Sequence, residues 1–217
     1  MPRKELICKE CRKKLPLITG PRCLKCGRRV SEGTEYCSDC QRRSHLYERG
    51  FALWEYDDTM KASIASFKYK GRAEYAGFYA GELADKFYDD LKRVGIEAVI
   101  PVPVHSARKA VRGYNQAELV ATKVAELLEV PCITDLLKRG INTAPQKDLS
   151  PSERFQNLRE AFVINKKSNA YEHYWDKVVL VDDIYTTGST VDACTERLLA
   201  AGVGHVYHLC LCIGKDS

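Results

Sequence analysis

Apolar residues recur at helical spacing over residues 57–69 and again over 72–94, with Gly71 as the break between them. The run EAVIPVPV (97–104) is instead continuous and short, which predicts a buried strand ending in two prolines. Helical spacing returns in NQAELVATKVAELLEV (115–130), and KVVLVDD (177–183) reads as the next strand. TVDACTERLLAAG (190–202) then predicts a helix closed by Gly202, and HVYHLCLCI (205–213) a final strand. Strands alternating with helices predict an α/β fold, a mainly parallel sheet flanked by helices and joined by right-handed crossovers. Ligands of such sheets lie beyond the carboxyl ends of the strands. Both PVPVHSARKAVRGYNQ (101–116) and DDIYTTGST (182–190) fall at such ends.

Upstream of residue 50 the pattern changes from apolar periodicity to cysteine pairs. Six of the ten cysteines form CKEC (Cys8, Cys11), CLKC (Cys23, Cys26) and CSDC (Cys37, Cys40). The chain opens MPRKELICKE, without an apolar leader, and no run is long enough to span a bilayer. A cytoplasmic protein without membrane insertion is the expectation, and in a reducing compartment clustered cysteines read as metal ligands. A CxxC places two sulfurs on one tight knuckle, and two knuckles complete a tetrahedral zinc site. Cys23, Cys26, Cys37 and Cys40 have the spacing of a zinc ribbon, too small to fold without its metal. Cys8 and Cys11 are left over: they share that metal in another pairing, recruit non-cysteine ligands with His45 the nearest candidate, or bind none. The expected division is a zinc-ribbon module over 1–47 and a larger domain over 48–217. Cys132, Cys194, Cys210 and Cys212 sit in apolar surroundings and read as small core hydrophobes, and His173, His205 and His208 as structural. Residues 1–50 carry 13 Lys and Arg against 6 Asp and Glu, a basic balance that permits contact with nucleic acid without establishing it.

The loop after KVVLV holds the chemistry. Side chains alternate along a strand, so adjacent Asp182 and Asp183 reach one crevice only where the strand gives way to a turn. Paired carboxylates suit the hydroxyls of a polyol or a hydrated Mg²⁺, an oxygen-seeking cation. Thr186, Thr187, Gly188, Ser189 and Thr190 then offer hydroxyls and backbone N–H groups at the mouth of a helix, a phosphate site. Together these fit a sugar phosphate. The competing account makes Asp182 a helix cap and the rest an ordinary turn. No GxxxxGK[ST] or GxGxxG motif is present, which argues against P-loop and dinucleotide sites.

VVLVDDIYTTGST resembles the ribose-phosphate loop of type I phosphoribosyltransferases. Taken with the cysteine knuckles, FKYKG (67–71), PVPV with RGYNQAELVA (112–121) and SPSERFQNLREAF (150–162), the chain resembles the competence-associated ComF family over nearly its whole length. That resemblance implies a small zinc ribbon ahead of a type I phosphoribosyltransferase-like domain. Members often carry four knuckles in two ribbons; this sequence has three, so the first ribbon looks truncated. By resemblance, Asp182 and Asp183 take the ribose hydroxyls and the Mg²⁺ shell of phosphoribosyl pyrophosphate, as catalytic and binding residues. Thr186 to Thr190 hold the 5-phosphate, and Val104, His105, Ser106 and Arg108 lie in the pyrophosphate turn. Lys68, Lys70 and Arg112 are further candidate phosphate contacts. The polar stretch 138–158, with Gln146, Arg154 and Asn157, is either a lid that excludes water or surface decoration. The expected function is transfer of the phosphoribosyl group to an acceptor, linked to DNA uptake in natural transformation. The alternative is an accessory protein that binds single-stranded DNA and DNA-uptake proteins, its transferase fold a sensor or scaffold.

Overall fold

The computed structural model describes residues 6–140 and 160–215. Gln146, Arg154 and Asn157 lie outside the described residues, as does most of the stretch expected as a lid.

The larger part is a four-stranded, wholly parallel sheet. In chain order its strands are β1 (Gly50–Glu55), β2 (Ala98–Pro101), β5 (Lys177–Tyr185) and β6 (His205–Ile213), arranged in space as β1-β6-β5-β2. A short antiparallel pair, β3 (Leu137–Arg139) and β4 (Phe162–Ile164), lies apart from it. Helices α3 (Asp58–Tyr69), α4 (Tyr75–Val94) and α6 (Gln116–Leu128) fall close to the spans their periodicity predicts. Each has a local cause. Asp57 caps α3 by accepting the Met60 N–H at 2.9 Å. α4 buries Ala76, Tyr79, Ala80, Leu83, Phe87 and Leu91, a stripe at three- and four-residue steps. Asn115 caps α6 through the Ala117 N–H and donates to the Val102 carbonyl, which fastens that helix to the end of β2. The last helix, α7 (Ser189–Ala200), begins at Gly188.

Two cores result from the alternation of side chains across the sheet. Val179, Val181, Leu209 and Leu211 face α3, α4 and α6. Val178, Leu180, Val206 and Cys210 face the opposite way, into a core shared with Val191, Cys194 and Leu198 of α7. Ile18, Cys23, Cys26, Cys37 and Tyr47 belong to this second core, so the cysteine knuckles are packed on the sheet. Cys194, Cys210 and Cys212 are buried, as their apolar surroundings predict.

The structure alters three expectations. β5 does not end at the acid pair: it runs two residues past Asp183 to Tyr185, paired with β6 as far as Ile213. β2 stops at Pro101, opposite Val181, and is shorter than the 97–104 run. The turn after β2 contains a seven-residue helix, α5 (Ser106–Arg112), with His105 accepting the Ala107 N–H as its cap. No helix among the described residues is long and apolar enough to cross a membrane.

Candidate functional site

The acid pair sits one step past the last residue of β2. β5 continues there past its last pairing with β2, still alongside β6, and this step in the sheet is the notch beside Asp182 and Asp183. Within it the two carboxylates follow the strand alternation and diverge. Asp183 turns to the α3 side, where Lys68 forms an ion pair with it at 2.7 Å. Asp182 shares its face of the sheet with Cys194 and Cys210 and accepts the Asp183 backbone N–H at 2.8 Å. A cap on a helix it is not, since the N-cap of α7 is Gly188. The pair therefore faces opposite sides of β5 two residues short of its end, where a turn would have aimed both acids one way.

Burial pushes the Asp182 carboxyl up to about 7, and the Asp183 charge adds to the rise. The Asp183 N–H, Lys68 and Arg139 pull the other way. Arg139, at the end of β3, was absent from the residues singled out by the sequence. It lies over the Phe162 ring at 5.4 Å, and the charges acting on it include both Arg108 and Asp182. One guanidinium thus stands in electrostatic range of the acid pair and of α5. Its only signal in the sequence was its position at the head of the polar 138–158 stretch.

Beyond the acids the chain turns through Thr186 and Thr187, both exposed, to a buried Gly188 at φ +80°. The Thr187 and Ser189 hydroxyls are 3.0 Å apart. No side chain caps α7, so its first N–H groups face the loop with their dipole uncompensated by a cap. Gly188 is needed here for a reason other than ligand approach. A Cβ at this position would stand 2.3 Å from the Tyr185 hydroxyl and 2.8 Å from His45 Cε1. The loop is pressed from behind by protein.

Other candidates scatter more widely. Lys70 is exposed, and Ser106 and Arg108 are exposed on α5. Arg112 donates to Gln116 at 2.9 Å and to the Tyr69 hydroxyl at 3.0 Å, lying over the Tyr69 ring, and so braces α3 against α6. Val104 and His105 are half-buried at the start of the same turn.

In the ribbon, the Cys23, Cys26, Cys37 and Cys40 sulfurs all lie within 4.8 Å of one another, with Cys26 and Cys37 at 3.6 Å. Tetrahedral zinc with Zn–S near ~2.3 Å requires sulfurs about 3.8 Å apart, so the four fit that ion. Gly27, at φ +80°, lets this knuckle approach β1: a Cβ there would meet the Gly50 carbonyl oxygen at 2.8 Å. Cys8 caps the short helix α1 (Lys9–Lys13) and accepts the Cys11 N–H, both residues being exposed. His45 is not their partner. It donates to Asp192 of α7 at 2.8 Å and is closed in by Tyr47 and Tyr185. The remaining histidines are structural: His173 packs on Trp175, His205 pairs with Glu48, and His208 stacks on Tyr185.

Residues 1–41 match the family model of a double zinc ribbon domain. The chain is 30% identical over 211 residues to Competence protein F of Haemophilus influenzae, covering 94% of this chain and 88% of that one. It is 32% identical over 207 residues to Competence protein ComFC of Bacillus subtilis, covering 91% and 80%. With the DNA utilization protein YhgH of Salmonella typhimurium the identity is 28% over 193 residues, covering 88% and 83%. Likenesses among solved structures are distant: an adenine phosphoribosyltransferase at TM-score 0.41 and 16% identity covers 82% of this chain and 91% of its own. A hypoxanthine phosphoribosyl transferase of Trypanosoma cruzi stands at TM-score 0.40 and 13% identity, covering 65% and 66%.

Proposed function

The chain belongs to the ComF family of competence-associated proteins, and from that membership and the geometry of the notch we propose that it binds phosphoribosyl pyrophosphate with Mg²⁺ and transfers the phosphoribosyl group. The observation that carries this reading is the stretch of β5 beyond its pairing with β2. Two carboxylates there are followed, within five residues, by a helix mouth without a side-chain cap.

Asp182 and Asp183 face opposite sides of β5, so each accepts from a different ribose hydroxyl. Lys68 forms an ion pair with Asp183 at 2.7 Å and so places a cation beside the ribose site. The N–H groups from Thr187 to Thr190 hold the 5-phosphate. On the far side of the notch, Arg108, Arg139 and the turn from Val104 to Ser106 face the diphosphate. Mg²⁺ bound with the ligand would screen the charge between diphosphate and acids. In the transfer, the bond from the anomeric carbon to the pyrophosphate oxygen breaks and pyrophosphate departs with the electron pair. An acceptor atom bonds to the carbon and loses its proton. Positioning of the sugar and stabilisation of the leaving group supply the catalysis, without a covalent nucleophile. Calorimetric titration of the zinc-loaded protein with phosphoribosyl pyrophosphate and Mg²⁺ tests the reading. Binding lost in the double variant Asp182→Asn, Asp183→Asn is expected; binding unchanged in that variant would overturn it.

A second reading has its own observation. Lys25, Arg42, Arg43 and Tyr36 line a cleft of about 280 Å³ on the ribbon. Cations beside an aromatic ring suit single-stranded nucleic acid, as expected of an accessory protein in DNA uptake. Pyrophosphate release that depends on an added acceptor separates the two readings, because a scaffold without turnover releases none.

A further inference from the structure

The loop expected to hold phosphate is gripped from behind by the ribbon. Arg28 stands two residues after Cys26, is 4% exposed, and has its own carbonyl accepting the Cys23 N–H at 2.7 Å. Its guanidinium donates to the Thr186 carbonyl at 2.8 Å and to the Lys215 carbonyl at 2.7 Å, with Asp39, the neighbour of Cys40, at 3.9 Å. A second grip lies just past the last knuckle. His45 donates to Asp192 at 2.8 Å, and the Leu46 N–H donates to the other oxygen of the same carboxylate at 3.0 Å. Asp192 belongs to the first turn of α7, and the Tyr47 and Tyr185 hydroxyls bond at 2.7 Å beside it. So the loop's first carbonyl is held by Arg28, and its glycine and the first turn of its helix rest in part on His45, residues that flank the cysteine knuckles in the chain.

We infer that Arg28 and His45 are positioning residues of the phosphate loop, so that metal held by Cys23, Cys26, Cys37 and Cys40 and ligand held at Thr186–Thr190 strengthen each other's binding. This rests on the reading of the notch given above. The physical reason is specific. Without metal, the two knuckles lose their common anchor, and Arg28 and Asp39 no longer share a fixed geometry. The Thr186 carbonyl then loses its donor, and the N–H groups of the helix mouth lose the arrangement a phosphate needs. By linkage, whatever factor zinc contributes to ligand affinity, the ligand contributes to zinc affinity.

The test has two arms on the full chain. In the first, zinc affinity is measured by competition with a chromogenic chelator, with and without saturating phosphoribosyl pyrophosphate and Mg²⁺. An increase of about tenfold is expected, within the usual range of coupling between sites. In the second, calorimetry compares zinc-loaded wild type with Arg28→Ala, Arg28→Lys and His45→Ala. Arg28→Ala weakens phosphoribosyl pyrophosphate by about tenfold, and Arg28→Lys fails to restore it because one ammonium cannot span both carbonyls. The coupling measured in the first arm shrinks toward unity in Arg28→Ala although all four cysteines remain, which a purely structural role would not produce. A zinc affinity unmoved by ligand that does bind overturns the linkage alone. Absence of any ligand binding to zinc-loaded wild type overturns the reading of the notch instead. The first arm needs no variant, so it decides the matter even if Arg28→Ala does not fold.

Discussion

At Asp182 two requirements meet in one side chain. Its burial and the adjacent Asp183 both oppose ionisation, while the proposed ligand needs the carboxylate. The sign of the consequence follows from linkage. A carboxyl raised to about 7 in the folded chain is protonated there while its unfolded counterpart has already ionised, so the native state binds the extra proton between about pH 4 and 7. This group's contribution therefore falls as pH rises through that window. Asp182→Asn should raise stability by roughly 1–2 kcal/mol at pH 8 and by less at pH 5, measured by urea unfolding at both values. The same variant should weaken ligand binding, a trade between stability and function at one position. A variant less stable than wild type at pH 8 would show that the Asp182 carboxylate is compensated by its neighbours. His208 has the opposite slope: burial drives its imidazole down to about 3, with the His45 and Lys25 charges adding to the fall. Its contribution is full above the unfolded histidine range and is lost as pH falls toward 3.

Among the elements, β5 and its following turn do the most. The alternation of β2, α6, β5, α7 and β6 was legible in the sequence because these helices carry an apolar stripe and these strands a continuous apolar run, whereas β1 and the short α5, which buries no residue, were not singled out. The acid pair and the helix mouth were legible as chemistry for the same reason: DDIYTTGST is contiguous. Their arrangement was not. Whether β5 continues through its acids depends on where β2 stops and how far β6 extends, and neither is encoded in the loop itself. Gly188, read from the sequence only as part of the phosphate loop, is also the point of close approach to Tyr185 and His45. That contact yields a prediction. Gly188→Ala should destabilise the chain by about 1–3 kcal/mol, from positive φ and from collision with Tyr185, visible as a lower urea midpoint at unchanged slope. A midpoint equal to wild type would mean that the loop has room to retreat. The roles of Arg28 and His45 escaped the sequence for one reason. The partners of Arg28 and His45 lie 158 and 147 residues away, and no periodicity reports a contact at that separation.

For the whole molecule, the positive charge concentrated before residue 50 becomes a surface in the fold. Lys25, Arg42 and Arg43 are brought together with Tyr36 around one cleft on the ribbon. If this face contacts single-stranded DNA, affinity falls with salt at a log–log slope of about −0.7 per phosphate contact, and removing the three cations flattens it. A slope unchanged by the triple variant would assign the contacts to another face.

The short β2 has a further consequence, for how other chains can attach. Along it, the Ile100 and Val102 side of the backbone serves β5, and the Val99 N–H on the outer side is taken by the Pro131 carbonyl at 2.9 Å. The next outward position is Pro101, which has no N–H to offer. At the opposite border, Pro16 to Ile18 lie along β1: the Ile18 N–H donates to the Leu53 carbonyl and the Glu55 N–H to the Pro16 carbonyl. Among the described residues both margins of the four-stranded sheet are thus occupied or blunted, and strand addition to that sheet has no free template. A protein that docks at the margins of this sheet must recognise side chains and charge, and two such sheets are guarded against joining edge to edge.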